Sequence, residues 1–225
     1  MTWLLAGLAA IAVLIGWKAL RGGETLRYQM TVEVATPEGV RTGSAVREVR
    51  YQGRSSFPFG ESRPSAELTG EAVSVELPGG RMLFALLKSG RGEIDYAKLI
   101  PGRAELAEAA GAVELWPSAP EVTALKGSDP LPLLVTFRDL GDPKSVERVD
   151  PADLAATWGA GYELRRIAIQ RTGDPVTMGI ERLLPWLAAV GRARSTLIPN
   201  PPRLLKDSTP VQLVSPLDFS TELYK

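Results

Sequence analysis

Residues Leu26–Val34 have the sequence LRYQMTVEV, in which apolar side chains alternate strictly with polar or charged ones. Successive side chains of a β-strand point to opposite faces, so this pattern predicts a strand with one buried face and one face in water. The tetrapeptide Thr36–Gly39 (TPEG) follows, with proline at its second position and glycine at its fourth, which is typical of a β-turn. The stretch therefore predicts the first strand of a β-hairpin.

The partner strand of this hairpin is predicted at roughly Val40–Tyr51. Its alternation of apolar and polar residues changes phase near Gly43, and a phase change at a glycine is typical of a β-bulge. We therefore expect a bulge at Gly43.

Further strands are predicted along the chain. Val73–Leu77 alternates, and the turn Pro78–Gly80 leads into Met82–Leu87, a continuous apolar run that suits either a strand buried on both faces or a short helix. The tight turn favours a strand, and hence a second hairpin. Leu133–Phe137 and Tyr162–Arg171 are predicted to be strands as well.

A few short helices are expected between these strands. Arg103–Ala110 is rich in good helix formers, and Asp150–Trp158 begins with an N-cap aspartate followed by proline. The same Asp-Pro device at Asp174 predicts the start of a helix whose apolar face lies within Ile180–Val190. Pro185 interrupts that face, so a kink or two short helices are expected.

These elements predict an α+β fold, in which an N-terminal transmembrane helix precedes a β-rich domain of antiparallel hairpins with a few short helices. The anchor is assigned to residues 1–21 and the domain to residues 22–195, with two subdomains meeting near residues 89–130 as an alternative. Residues 196–225 are rich in proline, which predicts an extended tail lying on the domain.

The membrane anchor is predicted from an uncharged, apolar N-terminal run. Thr2–Trp17 is sixteen residues long, just below the roughly 17–25 residues of a spanning helix, but Lys18 can extend its ammonium to the interface. Trp3 and Trp17 lie near the two ends, where indole rings favour the headgroup region. The bilayer is therefore the first expected partner.

Two alternatives to the anchor are a cleaved signal peptide and a buried core helix. No Lys or Arg precedes the apolar run, and the residues after it lack the small side chains of a peptidase site, so we favour the anchor. Basic residues after the run favour a cytoplasmic domain, whereas an anchor with no preceding tail ordinarily exports its domain. The balance between these arguments is close, and we expect the periplasmic side of a bacterial inner membrane.

The composition excludes several kinds of chemistry. The chain has no His and no Cys, so the common zinc, haem, copper and iron–sulfur ligand sets and the His-dependent catalytic triads are absent. The 26 basic residues balance 26 acidic ones, which argues against nucleic acid as a partner. Nucleotide-binding and serine-nucleophile motifs are missing too, so we expect no cofactor, no metal and no nucleotide.

Carboxylates remain the only candidate catalytic groups. Asp139, Asp142, Asp150 and Asp153 could supply an acid and a base, as in glycosidases, but three of the four adjoin or lie close to a proline in turn-like sequence. We interpret them as turn and cap residues. The charged pairs Glu147–Arg148 and Arg165–Arg166 are interpreted as solvated strand or helix faces.

Phe57 and Phe59 flank Pro58 in a loop without periodicity. Aromatic residues in such loops most often cover the edge of a core, but an exposed pair would mark a contact site for another protein. Phe57 and Phe59 are therefore the candidate partner contact.

Four runs carry a resemblance to known proteins: Tyr28–Gly39, Leu133–Asp139, Asp142–Pro151 and Asp174–Leu187. They resemble uncharacterised single-pass membrane-anchored bacterial proteins of proteobacterial type. The resemblance covers most of the chain after the anchor and implies a protein of the cell envelope. Because these proteins have no assigned activity, it assigns no functional residue.

Two classes of function stay open from the sequence. The first is a non-enzymatic, membrane-tethered interaction or structural module of the envelope, with another envelope protein as a partner. The second is a carboxylate-dependent hydrolase that acts on envelope glycans. A deep cleft with two desolvated carboxylates would favour the second, and a shallow apolar surface the first.

Overall fold

The computed structural model describes residues 25–52, 65–90, 111–116, 131–191, 196–199, 201 and 209–224. These residues form nine β-strands joined by short helices and turns. The strands are β1 (Thr25–Thr36), β2 (Gly39–Gln52), β3 (Ser65–Thr69), β4 (Val73–Leu77), β5 (Arg81–Ser89), β6 (Val113–Trp116), β7 (Pro132–Phe137), β8 (Val146–Arg148) and β9 (Glu163–Arg171).

The helices of the described residues are all short. Two are α-helices, α1 (Ala155–Trp158) and α2 (Leu187–Gly191). The others are 3-10 turns: Pro78–Gly80, Pro143–Ser145, Ile180–Arg182, Pro210–Leu213, Pro216–Asp218 and Glu222–Tyr224. None of the helices in this part of the chain is long and apolar enough to cross a membrane. The β-rich antiparallel class is confirmed, while the anchor at residues 1–21 lies outside the described residues and stays a prediction.

The first hairpin has the predicted form. In β1 the apolar side chains at alternate positions are at most 4 % exposed, and the residues between them are exposed or half-buried. β1 pairs with β2 along the whole length of β1, from Thr25 opposite Arg50 to Thr36 opposite Gly39. The turn is held by the Thr36 hydroxyl, which donates to the carbonyl oxygen of Gly39 at 2.7 Å.

The strands form two antiparallel sheets that pack face to face. The first sheet has five strands in the order β3-β2-β1-β9-β6, and the second has four in the order β4-β5-β7-β8. One apolar core lies between them and receives side chains from both sheets. Each sheet combines strands that precede residue 90 with strands that follow residue 130. The predicted domain limits, including the two-subdomain alternative, stay predictions.

Gly43 lies where the two sheets approach closely, and the bulge predicted there is wrong. The β1–β2 register runs through Gly43 without a shift, so Gly43 lies opposite Val32 on the core side. A Cβ at this position would lie 2.1 Å from the carbonyl oxygen of Ser74 in β4. Glycine is therefore required by packing between the sheets.

The second sheet is covered on both faces. After Arg81, every residue of β5 is buried, and so is every residue of β7. The face of this sheet away from the first sheet belongs to a second apolar cluster, which includes Phe84 and, from later segments, Leu184 and Phe219. Because both faces are covered, the run Met82–Leu87 is a strand, as the turn before it favoured.

The C-terminal segment, residues 209–224, forms part of that covering layer. Val214 and Phe219 have no exposed surface. The backbone N–H of Ala72 donates to the carbonyl oxygen of Phe219 at 2.8 Å, and that of Thr221 donates to Gly70 at 3.0 Å. The described residues of the segment lie on the domain, but they form 3-10 turns and contribute to a core instead of running extended.

The helices predicted from Asp-Pro pairs are shorter than expected. The predicted helix start at Asp150 is wrong, because α1 begins only at residue 155. Asp174 does not start a helix either; it accepts a hydrogen bond from the Thr172 hydroxyl at 2.8 Å, and the chain stays irregular up to the turn Ile180–Arg182. The predicted division at Pro185 is confirmed, since the 3-10 turn and α2 lie on either side of it.

Candidate functional site

Several residues predicted to make contacts lie outside the described residues. They are Phe57 and Phe59, the candidate partner contact, and Trp3, Trp17 and Lys18 of the anchor. Their roles stay predictions.

The four candidate catalytic aspartates each accept a hydrogen bond from a nearby backbone N–H group. The distances are 2.8 Å for Asp139 with Gly141, 2.9 Å for Asp142 with Lys144, 2.9 Å for Asp150 with Ala152 and 3.0 Å for Asp153 with Ala156. Aspartate side chains of turns and helix caps make these bonds. All four residues are exposed, and their predicted structural role is confirmed.

A cleft of about 310 Å³ lies at one end of the first sheet. Its walls are Trp116 at the end of β6, residues 151–155 before and at the start of α1, and residues 162–165 at the start of β9. Small-molecule sites have volumes of about 300–1,000 Å³, so this cleft suits a small ligand.

Two adjacent β-bulges shape this cleft. Arg165 is skipped in the pairing of β9 with β1, and Leu115 is skipped in the pairing of β6 with β9. A bulge bends its strand and redirects the side chains beside it. In this sheet the two bulges occur where Arg165 and Trp116 line the cleft.

The aromatic side chains of the cleft are held in fixed positions. Trp116 donates from its indole Nε1 to the carbonyl oxygen of Leu164 at 3.0 Å. The Tyr162 ring lies 5.8 Å from the Trp158 ring, measured between centroids. The Arg81 guanidinium lies 5.9 Å from the centroid of the Tyr162 ring and donates to the Tyr162 hydroxyl at 3.3 Å. Because these contacts restrain the rings, the aromatic part of the wall is organised before a ligand arrives.

Two of the three charged side chains that line the cleft have no ion-pair or hydrogen-bond partner among the described residues. Glu163 and Arg165 lie two residues apart on β9 and are both exposed. Within the described residues, neither forms an ion pair or a side-chain hydrogen bond. Asp153 is the third charged residue of the wall and binds Ala156 through one carboxylate oxygen, Oδ1.

The neighbouring Arg166 shows the opposite arrangement. It lies on the outer face of the first sheet, where its guanidinium donates to Glu114 at 2.5 Å and to Glu33 at 3.2 Å. These hydrogen bonds, the one to Glu114 first, raise the pKa of Arg166 above its ordinary value. The prediction of a solvated strand face holds for Arg166. Arg165 lines the cleft, whereas Arg166 pairs with Glu33 and Glu114.

Arg47 is a buried cation that the sequence did not reveal. It has no exposed surface and donates to the carbonyl oxygens of Glu71 and Ala85, both at 3.0 Å, and to the Met30 sulfur at 3.4 Å. The Glu71 carboxylate instead accepts from the backbone N–H of Ile180 at 2.9 Å. Arg47 therefore ties the first sheet to β5 of the second and to the strand connection at residue 71.

Burial also shifts the pKa values of Tyr28 and Glu71, two groups near Arg47. Burial raises the pKa of Tyr28 above its ordinary value of 10.0, although the adjacent Arg47 guanidinium lowers it. Burial likewise raises the pKa of Glu71, opposed by the Ile180 N–H group. These groups lie inside the fold and offer no surface to a ligand.

A second buried tie holds the C-terminal segment. Lys88 of β5 is 5 % exposed, and its ammonium donates to the carbonyl oxygen of Leu213 at 2.6 Å and to Asp218 at 3.3 Å. Burial raises the pKa of Asp218, and the Lys88 charge opposes that rise. The pair fixes residues 213–218 against the second sheet.

Comparisons with known proteins do not identify a family. No protein-family model matches the chain, and neither curated proteins nor solved structures give a match. The described residues also contain no group of three or more acidic side chains placed to hold a metal ion. The functional argument therefore rests on the described residues themselves.

Sequence reasoning missed Trp116, Glu163 and Arg165 as neighbours. Trp116 and Glu163 are separated by more than forty residues, and a bulge has no sequence signal in this case because neither β6 nor β9 contains a glycine. Arg47 was detectable, since it follows Ala45 by two residues and precedes Val49 by two, on the apolar face of β2.

Proposed function

We propose that this chain is a non-enzymatic, membrane-tethered interaction or structural module of the bacterial cell envelope. The observation that supports this proposal most directly is the use of Asp139, Asp142, Asp150 and Asp153 as backbone acceptors in turns and caps. Carboxylates engaged in this way stabilise local structure, and the composition leaves no His or Cys for other common catalytic centres.

The proposed location follows from the N-terminal sequence. Residues 1–21 anchor the chain in the inner membrane as a single pass, and the β-rich domain lies on the periplasmic side. The partners are the lipid bilayer and another envelope protein. Nucleic acid, nucleotides, metals and cofactors have no part in the proposed function.

The anchor is tested by fractionation of the full-length protein. We expect it to stay in the membrane fraction through washes with high salt and with carbonate, because sixteen uncharged residues hold it by apolar burial. Release by either wash would contradict the tethered part of the proposal.

The non-enzymatic part is tested by replacing the four aspartates singly with Asn in the native host. Each change should lower the free energy of unfolding by about 0–2 kcal/mol, and function should fall only in proportion to the folded protein that remains. A variant that stays folded and abundant but behaves like a deletion would indicate a working carboxylate.

A carboxylate-dependent hydrolase acting on envelope glycans is the second candidate, because Asp153 and Glu163 line the same cleft. Both residues are exposed, whereas the acid of such a pair ordinarily lies in an apolar environment. Asp153→Asn and Glu163→Gln would each abolish glycan hydrolysis if this candidate held. Under the first proposal, purified wild-type protein releases no sugar from envelope glycans.

A further inference from the structure

The cleft lies at the end of the domain opposite to Thr25, the residue at which β1 begins. β1 starts at Thr25 and its twelve residues span about 40 Å at roughly 3.3 Å per residue. Glu163 lies opposite Ala35 near the far end of that strand, and the turn residue Pro37 lies next to Gly161. The position of the cleft away from the membrane rests on the proposed anchor, whereas the chemistry of the cleft does not.

The unusual feature of this cleft is a pair of charges, Glu163 and Arg165, that have no partner in the part of the chain that the structure describes. Glu163 and Arg165 carry opposite charges and lie two residues apart, yet no ion pair joins them. Elsewhere on the first sheet, opposite charges close in space do pair, as in Arg27–Glu48 at 2.6 Å and Arg166–Glu114 at 2.5 Å. Glu163 and Arg165 therefore present separate binding groups for one ligand in the same cleft.

The indole of Trp116 adds a third binding group. Its Nε1 donates to the carbonyl oxygen of Leu164, which holds the ring in the wall of the cleft. Trp116 is half-buried, so part of the ring is accessible. The face of an indole attracts cations more strongly than any other aromatic side chain does.

We propose that this cleft binds a small zwitterionic molecule that carries an ammonium and a carboxylate, as amino acids and short peptides do. Arg165 binds the carboxylate, for which a guanidinium offers two parallel N–H donors. Glu163 and the face of Trp116 bind the ammonium, and Asp153 adds negative charge on the same wall.

The alternatives suit the wall less well. A ligand with only negative charge would meet Glu163 and Asp153, and a ligand with only positive charge would meet Arg165. An uncharged ligand would leave all three charges unused. The volume of about 310 Å³ limits the ligand to a small molecule.

The test compares three matched probes by isothermal titration with the full chain in lipid nanodiscs. The probes are alanyl-alanine, its N-acetyl derivative, which lacks the ammonium, and its C-terminal amide, which lacks the carboxylate. We expect alanyl-alanine to bind about tenfold or more tightly than either derivative, because each derivative loses one charge-assisted contact. Failure of alanyl-alanine to bind at millimolar concentration, or equal binding of the three probes, would overturn the proposal.

Two variants assign the contacts. Arg165→Gln should remove the preference for the free carboxylate, so that alanyl-alanine and its amide bind equally. Glu163→Gln should remove the preference for the free ammonium, so that alanyl-alanine and its N-acetyl derivative bind equally. Both side chains are exposed, so neither change should prevent folding.

Matched controls come from exposed charges of the second sheet. Arg148→Gln and Glu76→Gln should leave all three affinities unchanged, because neither residue lines the cleft. A loss of affinity in these controls as large as in the cleft variants would show that net charge, and not the cleft, decides binding. Cleavage of alanyl-alanine by the protein would contradict the non-enzymatic function and leave the binding inference intact.

Discussion

The two sheets are built from similar apolar residues but differ in how many faces are covered. β1 of the first sheet alternates buried with exposed or half-buried residues, whereas β5 of the second sheet is buried at every position after Arg81. The first sheet has one face on the core and one face toward solvent. The second lies between the first sheet and a layer formed by residues 180–190, 197–198 and 209–224. The period of the apolar pattern therefore reports how many layers flank a strand.

Charges follow the same division. On the outer face of the first sheet, Arg166 meets Glu33 and Glu114 in contact with solvent. On the outer face of the second sheet, Lys88 is buried and is matched by Asp218 of the covering segment. Exposed ion pairs contribute little to stability, while a buried charge must be matched to be tolerated.

The largest expected effect on stability comes from a cavity-forming substitution in the layer that covers the second sheet. Phe219 is fully buried, with ring centroids 5.8 Å from both Phe84 and Phe137. Phe219→Ala should lower the free energy of unfolding by about 3–5 kcal/mol, measured by urea denaturation, because it leaves a cavity. Leu217→Ala, at a residue that is 42 % exposed, is the control and should change it by no more than about 0.5 kcal/mol. Equal losses in the two variants would mean that residues 209–224 do not form a true third layer.

A smaller effect is expected where the sheets meet. Gly43→Ala would place a methyl group 2.1 Å from the Ser74 carbonyl oxygen, so the sheets must separate locally. The expected loss is about 1–3 kcal/mol in the same denaturation experiment. At Gly173 an added Cβ meets nothing within 4 Å, so Gly173→Ala should be neutral or slightly stabilising. If Gly43→Ala left the free energy of unfolding unchanged, the sheets would be able to separate at this point without loss of stability.

The connection between the sheets should respond to pH. Burial raises the pKa of Glu71 above the ordinary 4.5, so the folded protein takes up a proton at a higher pH than the unfolded chain does. The contribution of Glu71 to stability therefore grows as the pH falls through its raised pKa, is complete below 4.5, and is lost as the pH rises.

Glu71→Gln removes this response and keeps an acceptor for the Ile180 N–H group. Relative to that variant, the wild type should gain stability as the pH is lowered from neutral toward 4.5, measured by urea denaturation at each pH. Glu76→Gln, at an exposed residue of β4, controls for the loss of one negative charge. A wild type that loses stability relative to Glu71→Gln over this range would reverse the sign of the argument.

The smallest effect on stability is expected from a substitution on the solvent-facing side of the first sheet. Glu33 contacts Arg166 at 3.2 Å, and both side chains are about a third exposed, so solvent screens the pair. Glu33→Gln should lower the free energy of unfolding by about 0–1 kcal/mol, and the loss should be smaller at high salt than at low salt. A loss as large as that of Phe219→Ala would contradict the comparison between the two sheets.

The first hairpin could be predicted because its information is local. Alternation and a Pro-Gly turn fix both the strands and their partners over a few residues. The error at Gly43 shows where local reasoning fails: an apparent change of phase was interpreted as a bulge. Val40 caused that appearance, because it is apolar but 59 % exposed, on the face opposite to the buried Ala45 and Val49, although the register does not shift.

The helices after Asp150 and Asp174 were overestimated for a related reason. An Asp-Pro pair suits both a helix start and an isolated turn, and the sequence does not separate the two. Asp150 accepts from Ala152 in a turn, and Asp153, three residues later, accepts from the N–H of Ala156 in the short α1. The length of each helix is decided by what its apolar residues pack against.

Local sequence patterns were sufficient to predict the β-rich class, the first hairpin, the strands β4, β5, β7 and β9, and the division at Pro185. The sequence also determined the absence of His and Cys chemistry, because composition is independent of folding. The contact of Lys88 with Asp218, and the cleft that Trp116, Glu163 and Arg165 share, follow only from the folded chain. The physical reason is distance along the chain: alternation and turns act between neighbours, whereas burial, ion pairs and clefts depend on which distant segments the sheets bring together.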